Sequence, residues 1–172
     1  MSERPVILTG FMGSGKSSVG RILAKHLSCP FVDLDGEIVA RSGRSINDIF
    51  AQEGEDAFRS MESRCLQQVL QRGRAVIATG GGVVIAAENR SQMRANGIVI
   101  NLDVSLPQVL HRLHGATDRP LFGGEGAANR VKSLMDERKQ FYADADIRID
   151  TDGKSVEDVA AEILRFVRGL RP

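Results

Sequence analysis

The 172-residue sequence contains no tryptophan and a single tyrosine. That leaves few aromatic platforms on which single-stranded nucleic acid could stack. Its net charge of +1 sets up no field to attract a polyanion, so nucleic acid is not expected as a partner. No apolar run approaches the ~20 residues that a membrane helix requires. The N-terminus enters an apolar, strand-like stretch at once, with no basic segment before it, so a signal peptide is not expected and the cytoplasm is the expected compartment. Cysteine is scarce too. Cys29 and Cys65 lie far apart without metal-ligand spacing, which predicts buried free thiols in a reducing environment. What remains is ordinary globular composition, 42% hydrophobic and 26% charged. It suits one domain with a substantial core over residues 1–172.

The most informative stretch is Pro5 to Ser18. Val6-Ile7-Leu8 fits a buried strand, and Gly10-x-x-x-x-Gly15-Lys16-Ser17 follows it directly. This is the phosphate-loop pattern, set as its mechanism requires between a strand and a helix. Glycines at 10, 13 and 15 let backbone N–H groups turn inward toward phosphate oxygens. The helix that follows aims its N-terminal dipole at the same anion. Lys16 adds a positive charge for the β- and γ-phosphates, and Ser17 offers a hydroxyl to Mg²⁺.

Downstream, strands and helices alternate. Lys16–Leu27 carries Val19, Ile22, Leu23 and Leu27 at helical spacing. Pro30–Asp35 reads as a strand ending in two carboxylates, Asp33 and Asp35. A strand after that helix makes a parallel βαβ unit, which sets both carboxylates at the rim of the phosphate-loop crevice. Residues 36–53 read as two short helices broken around Ser42-Gly43-Arg44, with Ser45 capping the second. Glu55–Gln71 is a longer helix in which Arg59 and Glu62 fall on neighbouring turns and can pair. Ala75–Thr79 is a buried strand running into Gly80-Gly81-Gly82, where something must approach the backbone closely. A helix over 86–95, a strand over Gly97–Asp103 and a helix from Ser105 to Leu113 come next. The stretch 113–128 has no apolar periodicity and reads as a mobile lid holding Arg119-Pro120-Leu121-Phe122.

The helix Asn129–Tyr142 contains an anomaly. Arg138 occupies its apolar stripe, where an unpaired guanidinium would be very costly. Asp136 and Glu137 point elsewhere around the helix, so an anionic ligand is the expected partner. Ile147–Ile149 is a short edge strand, and Ser155 caps a final helix. The pattern predicts an α/β protein: a three-layer α/β/α sandwich on a five-stranded parallel sheet.

Phosphoryl transfer needs cations around the transferring group and a held acceptor. Lys16 and Arg119 suit the phosphates, and Asp35 suits an acceptor hydroxyl. Arg59 and Arg138, on separate helices, suit a carboxylate gripped from two sides. Taken in order, the loop Gly10–Ser18, Asp33-Leu34-Asp35, Phe58-Arg59-x-x-Glu62, Thr79-Gly-Gly-Gly82, Arg119-Pro120-Leu121 and Glu137-Arg138-x-x-x-Tyr142 resemble the shikimate kinases. The resemblance runs from the first strand to the last helix.

It implies a P-loop NTPase fold with a mobile lid at 113–128 and a substrate-binding segment at 33–60. The activity it implies is ATP-dependent phosphorylation of the 3-hydroxyl of shikimate, giving shikimate 3-phosphate in aromatic amino-acid biosynthesis. By this resemblance Gly13, Ser14, Gly15, Lys16, Ser17 and Ser18 wrap the nucleotide phosphates. Ser17 ligates Mg²⁺, with Asp33 helping through water. Asp35 binds the ring hydroxyls and is the candidate base, which makes Lys16, Asp35 and Arg119 the catalytic set. Arg59 and Arg138 hold the carboxylate, with backbone contacts from Gly81 and Gly82. Arg119 closes over the phosphates, while Arg112 packs on the adenine with the loop Thr151–Lys154. The chain departs from the family pattern at Phe122, where leucine is commoner, and at His111 and His114, where related chains carry arginine. The nearest rival is another small-molecule kinase, acting on gluconate or a nucleoside monophosphate. A nucleotide-dependent switch would need Asn-Lys-x-Asp, which this sequence lacks. The partners expected are the small molecules shikimate and ATP, and a monomer is the expected state.

Overall fold

The sheet forms where β-branched and aliphatic runs are long enough to be buried on both faces. The computed structural model describes residues 4–114 and 124–170. Its five strands are β1 (Val6–Thr9), β2 (Phe31–Asp33), β3 (Val76–Ala78), β4 (Ile98–Asp103) and β5 (Ile147–Asp150), and they lie in the order β2-β3-β1-β4-β5. Every pairing is parallel, and β5 lies at an edge as expected.

Side chains alternate between the faces of each strand. Val6 and Leu8 of β1, Val76 of β3 and Ile98, Ile100 and Leu102 of β4 join one core, with α1 (Lys16–Leu27) and α7 (Val156–Gly169). Ile7, Ile77 and Val99 point the other way, into a core shared with the remaining helices. The result is the three-layer α/β/α sandwich. Strand order reverses about β1, which opens a crevice beyond the C-terminal strand ends. Among the described residues no helix is long and apolar enough to cross a membrane.

Side-chain caps set the start of several helices. Ser45 accepts a 3.1 Å bond from the Asp48 N–H and opens α3 (Ile46–Leu70), while Ser155 and Asp158 form a reciprocal capping box on α7. The break expected after residue 53 is a kink inside α3 at Gly54, whose φ is 84°.

One boundary differs in a way that matters for the site. The strand read as Pro30–Asp35 ends at Asp33, because the Asp33 carboxylate accepts the Gly36 N–H at 3.2 Å and caps α2 (Leu34–Ser42). An aspartate before a free helix N-terminus caps it better than it extends a strand. Asp35 therefore sits in the first turn of α2. Two smaller differences are that α6 (Ala127–Tyr142) starts before Asn129, and that a short 3₁₀ turn, Val83–Ile85, follows the triple glycine. Cys65 is buried as expected, but Cys29 is only half-buried; both are free, and burial pushes both thiols up.

Candidate active site

The loop between β1 and α1 is shaped by its glycines. Gly10, Gly13 and Gly15 have φ of 145°, 76° and 92°, values that other residues adopt only under strain. At Gly10 space is limiting as well, since a Cβ there would lie 2.8 Å from Ser14 Oγ and collide with the Leu102 carbonyl. Lys16 is buried, and its ammonium donates to the carbonyls of Gly10 at 2.8 Å and Phe11 at 3.0 Å. The charge is thereby drawn back onto the loop, beside Ser14 Oγ at 3.4 Å. Ser14 is buried within the loop, and Ser18 is exposed in the first turn of α1.

Ser17 and Asp33 meet directly. The Ser17 hydroxyl donates to Asp33 Oδ2 at 2.9 Å, while Oδ1 of the same carboxylate caps α2. One residue thus fixes the helix that presents Asp35 and also faces the phosphate loop.

The triple glycine is where the remaining elements converge. A Cβ on Gly80 would lie 2.8 Å from Glu62 Oε2 and 3.0 Å from Asp35 Oδ1. One on Gly81 would lie 3.4 Å from the Met12 nitrogen and 3.7 Å from Arg138 Nη1. One on Gly82 would overlap the Arg59 guanidinium outright. The close approach expected at this strand end is therefore made by Asp35 from α2, Arg59 and Glu62 from α3, Arg138 from α6 and the phosphate loop itself.

Arg59 donates to Glu62 at 2.7 Å and to Glu55 at 3.4 Å, so the expected pairing on α3 is present. Its Nε is buried without a hydrogen-bond partner among the described residues. Arg138 is buried, with its guanidinium carbon 5.8 Å from the centre of the Phe11 ring. Among the described residues no carboxylate pairs with it. Asp136 is taken by Lys132 at 2.5 Å and Glu137 by Ser133 at 3.2 Å.

From the sequence Glu62 is a partner for Arg59 and, as an alternative to Met61, a member of the helix's apolar stripe; no site role is expected of it. It is buried, and its Oε2 has no hydrogen-bond partner among the described residues. Its spacing with Phe58, Cys65 and Val69 along one helical stripe is the signal that places a carboxylate in the core. Burial pushes its proton affinity up and Asp35 adds to this, while Arg59 and Arg138 oppose it. A folded-state pKa above the unfolded value gives a contribution that is full below the unfolded pKa and lost as pH rises through the folded one. Urea unfolding between about pH 5 and about pH 8 should therefore show the wild type losing stability relative to Glu62→Gln as pH rises. Parallel curves would contradict this.

On the other side of the loop, Arg112 of α5 (Leu106–His114) donates to the Gly13 carbonyl. The loop after β5 is anchored nearby: the Thr151 hydroxyl donates to the Asp103 carbonyl at 2.8 Å, and the Ser105 N–H donates to Asp152 at 3.1 Å. The Ser105 hydrogen bonds hold the Asp152 carboxyl below its usual range, and the Arg112 charge adds to this. Arg119, with Pro120, Leu121, Phe122 and most of the stretch 113–128, lies outside the described residues.

With this geometry in view, the comparisons are decisive. A family model for shikimate kinase matches residues 12–168. The chain belongs to the shikimate kinase family. The shikimate kinase of Geobacter metallireducens is 52% identical over 168 residues, covering 98% of this chain and 94% of that protein. The structure of shikimate kinase from Acinetobacter baumannii in complex with shikimate matches with a TM-score of 0.92 at 34% identity, covering 98% of this chain and 96% of that one. A gluconokinase from Sinorhizobium meliloti matches with a TM-score of 0.66 at 18% identity, covering 98% of this chain and 93% of that one. That is a likeness of fold alone. Apart from Arg119-Pro120-Leu121, outside the described residues, the motifs that carry the shikimate kinase resemblance lie on the elements that converge at the triple glycine.

Proposed function

We propose that this shikimate kinase transfers the γ-phosphoryl group of ATP to the 3-hydroxyl of shikimate. The observation that carries the proposal is the convergence of Arg59 and Arg138, from separate helices, on the glycine run that also meets Asp35 and the phosphate loop. Two guanidiniums at one backbone ledge suit a carboxylate, and an acidic side chain beside them suits hydroxyls. A ring bearing both groups spans the two.

Each part then has one task. Backbone N–H groups from Gly13 to Ser18, with the α1 N-terminus, bind the phosphates, and Lys16 balances charge on the transferring group. Asp35 holds the acceptor hydroxyl and takes its proton as the oxygen bonds to the γ-phosphorus. The bond from that phosphorus to the β–γ bridging oxygen breaks, and ADP leaves. Arg59, Arg138 and the Gly81 and Gly82 backbone orient the acid. Arg119 belongs with the phosphates and Arg112 with the adenine.

Mg²⁺ fits the Ser17–Asp33 pair, a hydroxyl and a carboxylate 2.9 Å apart beside the phosphate loop. This cation takes few protein oxygens and fills its shell with phosphate and water. When bound it neutralises phosphate charge and fixes the nucleotide's orientation. A single-domain, cytoplasmic, monomeric enzyme acting on small molecules is the setting this reading carries.

The test is a substrate panel with purified protein, Mg²⁺ and ATP. Shikimate should drive ADP release, while gluconate and nucleoside monophosphates should not; gluconate turnover without shikimate turnover would overturn the assignment. Within the same assay, Arg59→Lys should raise KM for shikimate roughly tenfold, because an ammonium cannot supply the planar fork whose lost hydrogen bonds cost about 1.5 kcal/mol or more. KM for ATP should stay unchanged.

A further inference from the structure

We propose that Tyr142 is a positioning residue for the acid-binding side of the site, fixing Arg138 against the Gly81 backbone by tying α6 to the triple glycine. The inference rests on the shikimate kinase reading above and adds a residue to it.

Tyr142 ends α6 four residues after Arg138, so the two side chains share a helix face. Its hydroxyl donates to the Gly81 carbonyl at 2.5 Å, linking positions 61 residues apart. Gly81 is also the glycine whose Cβ direction points at Arg138 Nη1 and at the Gly10 carbonyl of the phosphate loop. A single hydrogen bond therefore sets how far the arginine-bearing helix stands from the ledge it faces. The ring itself is buried in the same apolar core as Phe11 and Val83, and that burial does not depend on the hydroxyl. Burial pushes the phenol up to about 12, with Arg138 opposing, so it is a neutral donor through the working pH range. Were the ring only a core filler, it would need no donor. Were the hydroxyl only satisfying a buried carbonyl, it would have no bearing on which substrate is bound.

The chain supplies its own reporter. Tyr142 is the one tyrosine, and there is no tryptophan. The tyrosine signal in absorbance and fluorescence therefore comes from this residue alone.

The experiment compares wild type with Tyr142→Phe, which keeps the ring and removes the donor. KM for shikimate should rise about tenfold, the weight of one buried hydrogen bond. kcat and KM for ATP should stay within about twofold, since neither the loop nor Asp35 loses a contact. In the wild type, shikimate without nucleotide should shift the tyrosine difference spectrum, and ATP alone should not. An unchanged KM for shikimate in Tyr142→Phe overturns the proposal, as do equal losses in every kinetic parameter that track a fall in Tm. A wild type that does not turn over shikimate at all overturns the underlying reading instead, and is seen before the variant is assayed.

Discussion

Lys16→Met abolishes turnover and leaves the protein folded: kcat with shikimate and ATP falls by roughly 10²–10³-fold or more, the cost of losing one preorganised charge-stabilising group. The side chain is buried, with its ammonium held by the carbonyls of Gly10 and Phe11 inside the loop. Methionine keeps an unbranched side chain of similar volume and deletes the charge. Removing a buried ammonium removes its desolvation cost but also takes a donor from the Gly10 and Phe11 carbonyls, so the Tm should change little. Coupled ADP release and thermal unfolding on the same preparation check both halves. Turnover within tenfold of wild type would refute the assignment of the loop.

Arg138→Ala raises KM for shikimate by roughly 10²-fold, because truncating one member of a buried charge pair costs about 2–5 kcal/mol. The guanidinium lies on the Phe11 ring and beside Gly81, with no carboxylate partner among the described residues. Its charge is thus available to a ligand rather than spent inside the fold. KM for ATP should change little, since Lys16 and the Ser17–Asp33 pair keep their contacts. A structural role would give the opposite pattern, a large fall in Tm with KM for shikimate unmoved. Steady-state kinetics at varied shikimate, with calorimetry on the apo protein, separates the two.

How much of this was readable in advance depended on how local the physics is. The phosphate loop was legible because its requirements sit on one short stretch: glycines where φ turns positive, a strand before, a helix after. Arg138 was legible as an exception to helical periodicity, and Glu62 half-legible for the same reason. Asp35 was placed at the right rim on the wrong element. The strand pattern was sound, but the competing cap formed by Asp33 was stronger, and that competition is decided by the geometry of the following turn. Cys29 was misjudged because burial at a turn depends on what packs over it.

Periodicity and backbone conformational limits act over a few residues, so the strand–loop–helix unit, the parallel α/β plan and the polar residues out of place were already determined by the order of amino acids. Distances between segments are different in kind. That Arg59 fills the space a Gly82 side chain would take, that Glu62 and Asp35 flank Gly80, and that Tyr142 reaches the Gly81 carbonyl all depend on how helices α2, α3 and α6 stand against one strand end. Those spacings come from close packing of two cores about the sheet, which only the assembled chain sets.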